Sequence, residues 1–329
     1  MGRGRRHHQL RGGHPPRAAG AAGARGGRRV IHHWITREDR ELHAVEHGPS
    51  QDDAPATVVL VHGYALGSGI FGPMARILAA GGVRVVRPDL AGHGWSRAGE
   101  QPLDLDVLAD DLAAVLRSLH VPEGRPLVLV GHSMGGMVLM RVLARHEAIA
   151  RRVDAMVWLA TSPGGMASSP FGLPVRAGAL VGPLVGQIAP RVMARAARSG
   201  PDVRPAPRGG AREVELAHLA RSNFHRRPSR STLRQVQAMH HRVPYRVLAE
   251  LLTSVLAHDG RDALRSLDCR GLVLIGDDDR MTPLAHSEEI AALHRGSTLQ
   301  VVPAAGHLLM VEHPHDVAGA VLQLVRECA

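Results

Sequence analysis

The 329-residue chain contains no lysine, so all 40 of its basic residues are arginine, a bias that reads as the codon usage of a GC-rich genome. Aromatic residues make up only 2%. Leucine, valine, alanine and isoleucine must therefore fill the core, and a 44% apolar share is ordinary for a folded chain of this length. Cysteine occurs twice, at Cys269 and Cys328, which excludes a disulfide framework. No apolar run reaches 18 residues, so no membrane span is expected. The longest candidate, Ala177 to Ala189, is short and broken by Pro183. Arg28-Arg29 resembles a twin-arginine export signal, but His32, His33, Arg37 and Asp39 follow where an apolar region is required. A cytoplasmic protein is the expectation.

The net charge of +10 suggests nucleic acid until it is located. Residues 1–29 hold eight arginines and no acid, whereas the remainder holds 32 arginines against 30 acidic residues. The basicity thus belongs to a Gly/Arg/His/Ala tail too poor in apolar residues to fold. We read that tail as an unstructured leader, or as a start codon placed too far upstream. Electrostatic contact with nucleic acid or anionic lipid is the alternative.

What the chain does hold is centred on residues 126–136. The apolar run Leu127 to Val130 stops at Gly131-His132-Ser133-Met134-Gly135, and helical spacing (Val138, Leu139, Val142, Leu143) starts at once. Gly-x-Ser-x-Gly between a strand and a helix is a nucleophile elbow, with Ser133 on a strained turn. Side chains at Gly131 and Gly135 would collide with neighbouring backbone. The helix beginning at Met134 aims its amide dipoles at the site.

Around this stretch, Val30 to Ile35 and Glu41 to Glu46 read as an antiparallel hairpin at a sheet edge. Thr57 to Val61, Val83 to Val86, Leu127 to Val130 and Ala155 to Ala160 read as buried strands alternating with helices. Asp104 is placed to cap the helix over Leu105 to Leu119. Alternation stops at Thr161-Ser162-Pro163. Candidate helices lie near 186–198, 212–221, 231–242 and 244–257, with a Pro/Gly/Arg loop at 200–210. The sheet resumes at Gly271 to Ile275, followed by helix 284–293, strand Thr298 to Val302 and helix 316–327. The expected fold class is α/β, a doubly wound and mostly parallel sheet. Residues 30–163 and 258–329 form the core, residues 164–257 an inserted helical lid, and residues 1–29 a disordered tail.

A serine hydroxyl needs a base to take its proton and a third group to orient that base. His307 fits the base: it follows the last strand in the small-residue loop Ala304-Ala305-Gly306. His313 and His315 stand too near the last helix. The acid belongs after the strand ending at Ile275, where Asp277, Asp278 and Asp279 stand in a row, and spacing alone does not choose among them. Oxyanion donors are expected in the backbone N–H groups of Met134 and Tyr64, with Gly63 letting the backbone approach.

Together, His62-Gly63, Pro88-Asp89-x-x-Gly92-His93-Gly94-x-Ser96, Gly131-His132-Ser133-Met134-Gly135-Gly136, Gly276-x-x-Asp279-x-x-Thr282-Pro283 and Gly306-His307 resemble the α/β-hydrolase superfamily, from about residue 30 to 327. The likeness is to single-domain bacterial hydrolases with a helical lid. It implies that the acid is Asp279 and that Leu90 to Ser96 is a structural loop. It also argues against sister chemistries. Ser133 replaces the aspartate nucleophile of haloalkane dehalogenases and most epoxide hydrolases. The lysine of hydroxynitrile lyases is missing, and so is the Gly-Gly-Ser-Trp-Gly elbow of prolyl iminopeptidases. Tyr64 and His132 stand where cofactor-free perhydrolases typically have Trp and Phe. The resemblance thus implies a serine esterase or lipase-like enzyme acting on a small-molecule ester or thioester. Carbon–carbon hydrolysis and non-catalytic binding of a small molecule are the alternatives. No cofactor or metal is expected: the His-His pairs at 7–8, 32–33 and 240–241 lack ligand spacing. Phe171, Phe224, Met193, Met239 and Tyr245 fit an acyl pocket or the lid's own core.

Overall fold

The computed structural model describes residues 30–168, 191, 195 and 207–328. The tail, most of the candidate helix near 186–198, the run Ala177 to Ala189, most of the loop at 200–210, and Phe171 and Met193 lie outside the described residues.

Among the described residues eight strands form one sheet: β1 (Val30–Arg37), β2 (Arg40–His47), β3 (Thr57–Val61), β4 (Arg84–Pro88), β5 (Leu127–His132), β6 (Ala155–Leu159), β7 (Arg270–Gly276) and β8 (Ser297–Val302). Their spatial order is β1-β2-β4-β3-β5-β6-β7-β8. β1 and β2 are the expected hairpin, with β1 outermost and β2 antiparallel to β4. All strands from β4 across to β8 run parallel. Every residue of β3, β5 and β6 is buried, as befits strands covered on both faces.

Alternate residues feed two cores, because successive side chains point to opposite faces. Val59, Val61 and Leu129 join one cluster with α2 (Leu105–Ser118) and α3 (Met134–Arg145). Val58, Leu60, Val128 and Val130 join the other, with α1 (Gly72–Ala80) and α8 (Pro314–Cys328). With aromatics scarce, Trp158, Phe71 and Phe224 are the largest fully buried side chains among the described residues. The Asp104 side chain accepts the Val107 N–H at 2.8 Å, so α2 starts where its cap dictates.

Between β6 and β7 come α4 (Gly210–Asn223), α5 (Arg230–Arg242) and α6 (Tyr245–Leu256); α7 (Leu284–Leu293) lies between β7 and β8. The chain leaves and re-enters the sheet at one place, where the Gly260 N–H donates to the Pro163 carbonyl at 2.8 Å. Glu215 of α4 accepts from Gln237 and His241 of α5, which ties those two helices together. α6 docks on the sheet domain through its Glu250 and Ser254 side chains, which accept the Leu103 and Leu105 N–H groups.

Candidate active site

Ser133 sits at the junction of β5 and α3 with φ 51° and ψ −125°, a left-handed backbone that a non-glycine residue adopts at a cost of order 1–3 kcal/mol. Its surroundings hold it there. The Ser133 N–H donates to the Leu159 carbonyl at 3.0 Å, and its own carbonyl accepts the Thr161 hydroxyl at 2.6 Å. Close approach explains the flanking glycines. A Cβ on Gly131 would lie 2.5 Å from Gly136 Cα, and one on Gly135 would lie 2.3 Å from the Val61 carbonyl oxygen. No side chain caps α3, so its positive end faces the turn.

The loop after β3 comes against this elbow: a Cβ on Gly63 would approach Ser133 Cβ to 3.0 Å and His132 Nδ1 to 2.9 Å. Tyr64 follows, its hydroxyl donating to the Leu248 carbonyl of α6 at 2.7 Å. Two buried imidazoles shape the loop. His62 donates from Nδ1 to the Gly63 carbonyl and accepts the Leu90 N–H at 3.0 Å. His93 donates from Nδ1 to the Ala91 carbonyl and accepts the N–H of Ala65, which itself has φ 58°. One donor and one acceptor apiece suit the neutral ring. Burial pushes His62 below its ordinary value, and burial together with the nearby His62 pushes His93 down to about 3. Asp89 anchors the same region, accepting from the Ser68 and Trp95 N–H groups and from His43 Nδ1. The stretch Leu90 to Ser96 therefore braces the Gly63–Ala65 loop.

Of the three aspartates after β7, it is Asp279 whose carboxylate meets the histidine: His307 Nδ1 donates to Oδ2 at 2.9 Å. Asp279 Oδ1 also accepts the Met281 and Thr282 N–H groups at 2.8 and 3.0 Å, and Oδ2 accepts the Thr282 hydroxyl at 2.7 Å. Burial works against its charge, but His307 and these donors outweigh burial and hold the carboxyl below the usual range. Asp277 instead accepts the Ala305 N–H, and Asp278 pairs with Arg280. His313 donates to the Ala304 carbonyl at 3.0 Å.

His132 joins the parts. It precedes Ser133, lies beside Gly63, and donates from Nε2 to the His307 carbonyl at 3.0 Å, with the two rings 4.8 Å apart. Burial, with His307 next to it, pushes its pKa down to about 3, so it stays neutral. Neither this bridge nor the Thr161 contact carries a signal in the sequence, since each depends on which loops the fold brings together. Phe224 is buried in the core that also holds Leu308 and Leu309, beside the His307 loop. Met239 packs half-buried against that core. Among the described residues no group of three or more His, Cys, Asp or Glu is arranged to hold a metal ion, and no helix is long and apolar enough to cross a membrane.

A parallel sheet carrying a strained serine between strand and helix, with a histidine–aspartate pair on the loops after the last two strands, defines the class. The chain belongs to the alpha/beta hydrolase family, whose model matches residues 58–320. It is 28% identical over 274 residues to a non-heme haloperoxidase of Rhodococcus erythropolis, covering 82% of this chain and 91% of that one. It is also 28% identical over 268 residues to a pimeloyl-[acyl-carrier protein] methyl ester esterase of Stenotrophomonas maltophilia, covering 82% and 92%. Among solved structures, a thermophilic esterase from Thermogutta terrifontis superposes with a TM-score of 0.67 at 25% identity, covering 92% of this chain and 99% of that one. With esterases among its relatives, the chain is supported as a hydrolase.

Proposed function

We propose that this protein cleaves small-molecule carboxylic esters, thioesters included, through an acyl-enzyme on Ser133. The observation that carries the reading is the buried Asp279–His307 bond, on a loop that His132 fastens to the elbow. Asp279 fixes His307 with its proton on Nδ1, which leaves Nε2 free to act as base. Ser133 Oγ loses its proton to Nε2 as it attacks the ester carbonyl carbon. The N–H groups of Tyr64 and Met134 hold the resulting oxyanion. The imidazolium returns the proton to the departing alcohol, and water, activated by the same nitrogen, releases the acid. Residues 164–257 act as a lid that selects the acyl group. Tyr64 and His132 depart from the perhydrolase pattern, which argues against haloperoxidase chemistry here.

The test is hydrolysis of short-chain p-nitrophenyl esters. Ser133→Ala is expected to lower p-nitrophenol release by roughly 10⁴-fold or more. Activity close to wild type in that variant overturns the mechanism. Failure of wild-type Ser133 to react with a fluorophosphonate would favour a non-catalytic binder.

A further inference from the structure

The loop that carries His307 leans on the inserted helices as well as on the sheet. Between α4 and α5 the chain runs as a strap through Asn223, Phe224, His225 and Arg226, with Phe224 extended at φ −128° and ψ 145°. The Leu308 N–H donates to the Asn223 carbonyl at 2.9 Å. The strap passes so close to Gly306 that a Cβ there would lie 2.8 Å from both Phe224 Cα and His225 N. One carboxylate fastens both sides. Glu312 Oε2 accepts the Gly306 N–H at 2.7 Å, while Oε1 accepts the His225 N–H at 3.0 Å and that of Arg226 at 3.4 Å. The strap also touches the acid's loop: His225 Nδ1 lies 3.3 Å from Asp278, and Arg280 bonds both Asp278 and the Arg221 carbonyl.

We propose that Glu312 is a positioning residue that couples the Asn223–Arg226 strap to the His307 loop, so that movement of the inserted helices moves the imidazole relative to Ser133. This deepens the hydrolase reading and rests on it. The physical basis is that two segments some 80 residues apart share one acceptor. A carboxylate forms stronger bonds to N–H groups than a neutral oxygen does, and an N–H that loses its partner destabilises the segment that carries it. Neither segment can shift without stretching a bond to the group that holds the other. Glutamine at 312 has a single carbonyl oxygen, so it can serve Gly306 or His225 but not both, and its NH₂ would face the N–H left over. Misplacing a reacting group by an ångström costs on the order of 10²-fold in rate.

The test uses the full chain carrying Glu312→Gln or Glu312→Ala, titrated with a fluorophosphonate. Amide hydrogen exchange is followed in parallel over residues 223–226 and 304–308. The expected result is complete labelling at saturation with a rate constant lowered about 10- to 100-fold, and faster exchange in both segments together. A lowered labelled fraction with an unchanged rate would make Glu312 a stability residue only and overturn the proposal. So would faster exchange in one segment alone, or a wild-type labelling rate in a folded variant. If the wild-type chain does not label, the hydrolase reading falls, and the exchange result then decides the coupling by itself.

Discussion

Asp277, Asp278 and Asp279 are neighbours with the same side chain and different electrostatics. Asp279 accepts four hydrogen bonds, two from backbone and two from side chains, and its side chain is only 1% exposed. Asp277 is exposed, and Asp278 is held by Arg280. Asp279→Asn keeps the shape but lets the amide donate where Nδ1–H must, which turns the imidazole to the wrong tautomer. Esterase kcat is expected to fall by about 10³- to 10⁴-fold in Asp279→Asn, against less than tenfold in Asp277→Asn or Asp278→Asn. A larger loss in either neighbour, measured with p-nitrophenyl acetate, would move the acid. The sequence order of serine, acid and histidine picks out this cluster, and only the family spacing singles out Asp279. What spacing could not foretell is how Asp279 is held, because its donors come from Met281 and Thr282, whose turn forms once the strand before it is placed. His132 and Glu312 were illegible for the same reason: each acts through a backbone group of a distant loop.

At the scale of elements, the strand–turn–helix around Ser133 is fixed by steric exclusion. Gly135→Ala would drive a Cβ to 2.3 Å from the Val61 carbonyl oxygen and 2.6 Å from that of His62, neither of which is a flexible side-chain end. The expected cost is about 3 kcal/mol or more. Gly319→Ala is the control. It lies in α8, where a Cβ would meet nothing within 4 Å, and should stabilise by about 0.5–1 kcal/mol. Urea midpoints of the two variants check both signs, and equal shifts would sink the steric account. Elements with a strong local rule are legible in the sequence: the buried parallel strands from unbroken apolar runs, α2 from its period and Asp104, the hairpin from alternation. The polar contacts that fasten this edge are less transparent: Arg84 of β4 meets Glu46 of β2 at 2.8 Å, and Arg40 of β2 meets Asp111 of α2 at 2.9 Å, buried partners that no periodicity announces.

Over the whole molecule, the abundance of histidine becomes a pH property. Burial, helped by His62 for His93, His307 for His132 and Arg141 for His258, pushes these three rings down to about 3, about 3 and about 4. In the unfolded chain each takes up a proton below its ordinary value of 6.5, whereas in the folded chain each stays neutral until far lower pH. Folding stability is therefore present in full above pH 6.5 and drains as pH falls toward 3–4. Each ring contributes about 1.4 kcal/mol per pH unit. Against the ~5–15 kcal/mol that holds a domain folded, the loss by pH 5 is large. Denaturant midpoints measured from pH 8 to pH 4.5 should fall steeply below 6.5, and a flat profile would contradict the neutral assignments. The strap between α4 and α5 has a consequence of a different kind, for recombination. On the proposed role of residues 164–257 as a lid, exchanging them between relatives is a route to new substrate ranges, and the segment leaves and rejoins the sheet beside Pro163 and Gly260. Yet the Asn223 carbonyl and the His225 N–H are bonded to Leu308 and Glu312, which such a swap would leave behind. A viable chimera must therefore inherit the insert and residues 304–312 from the same parent.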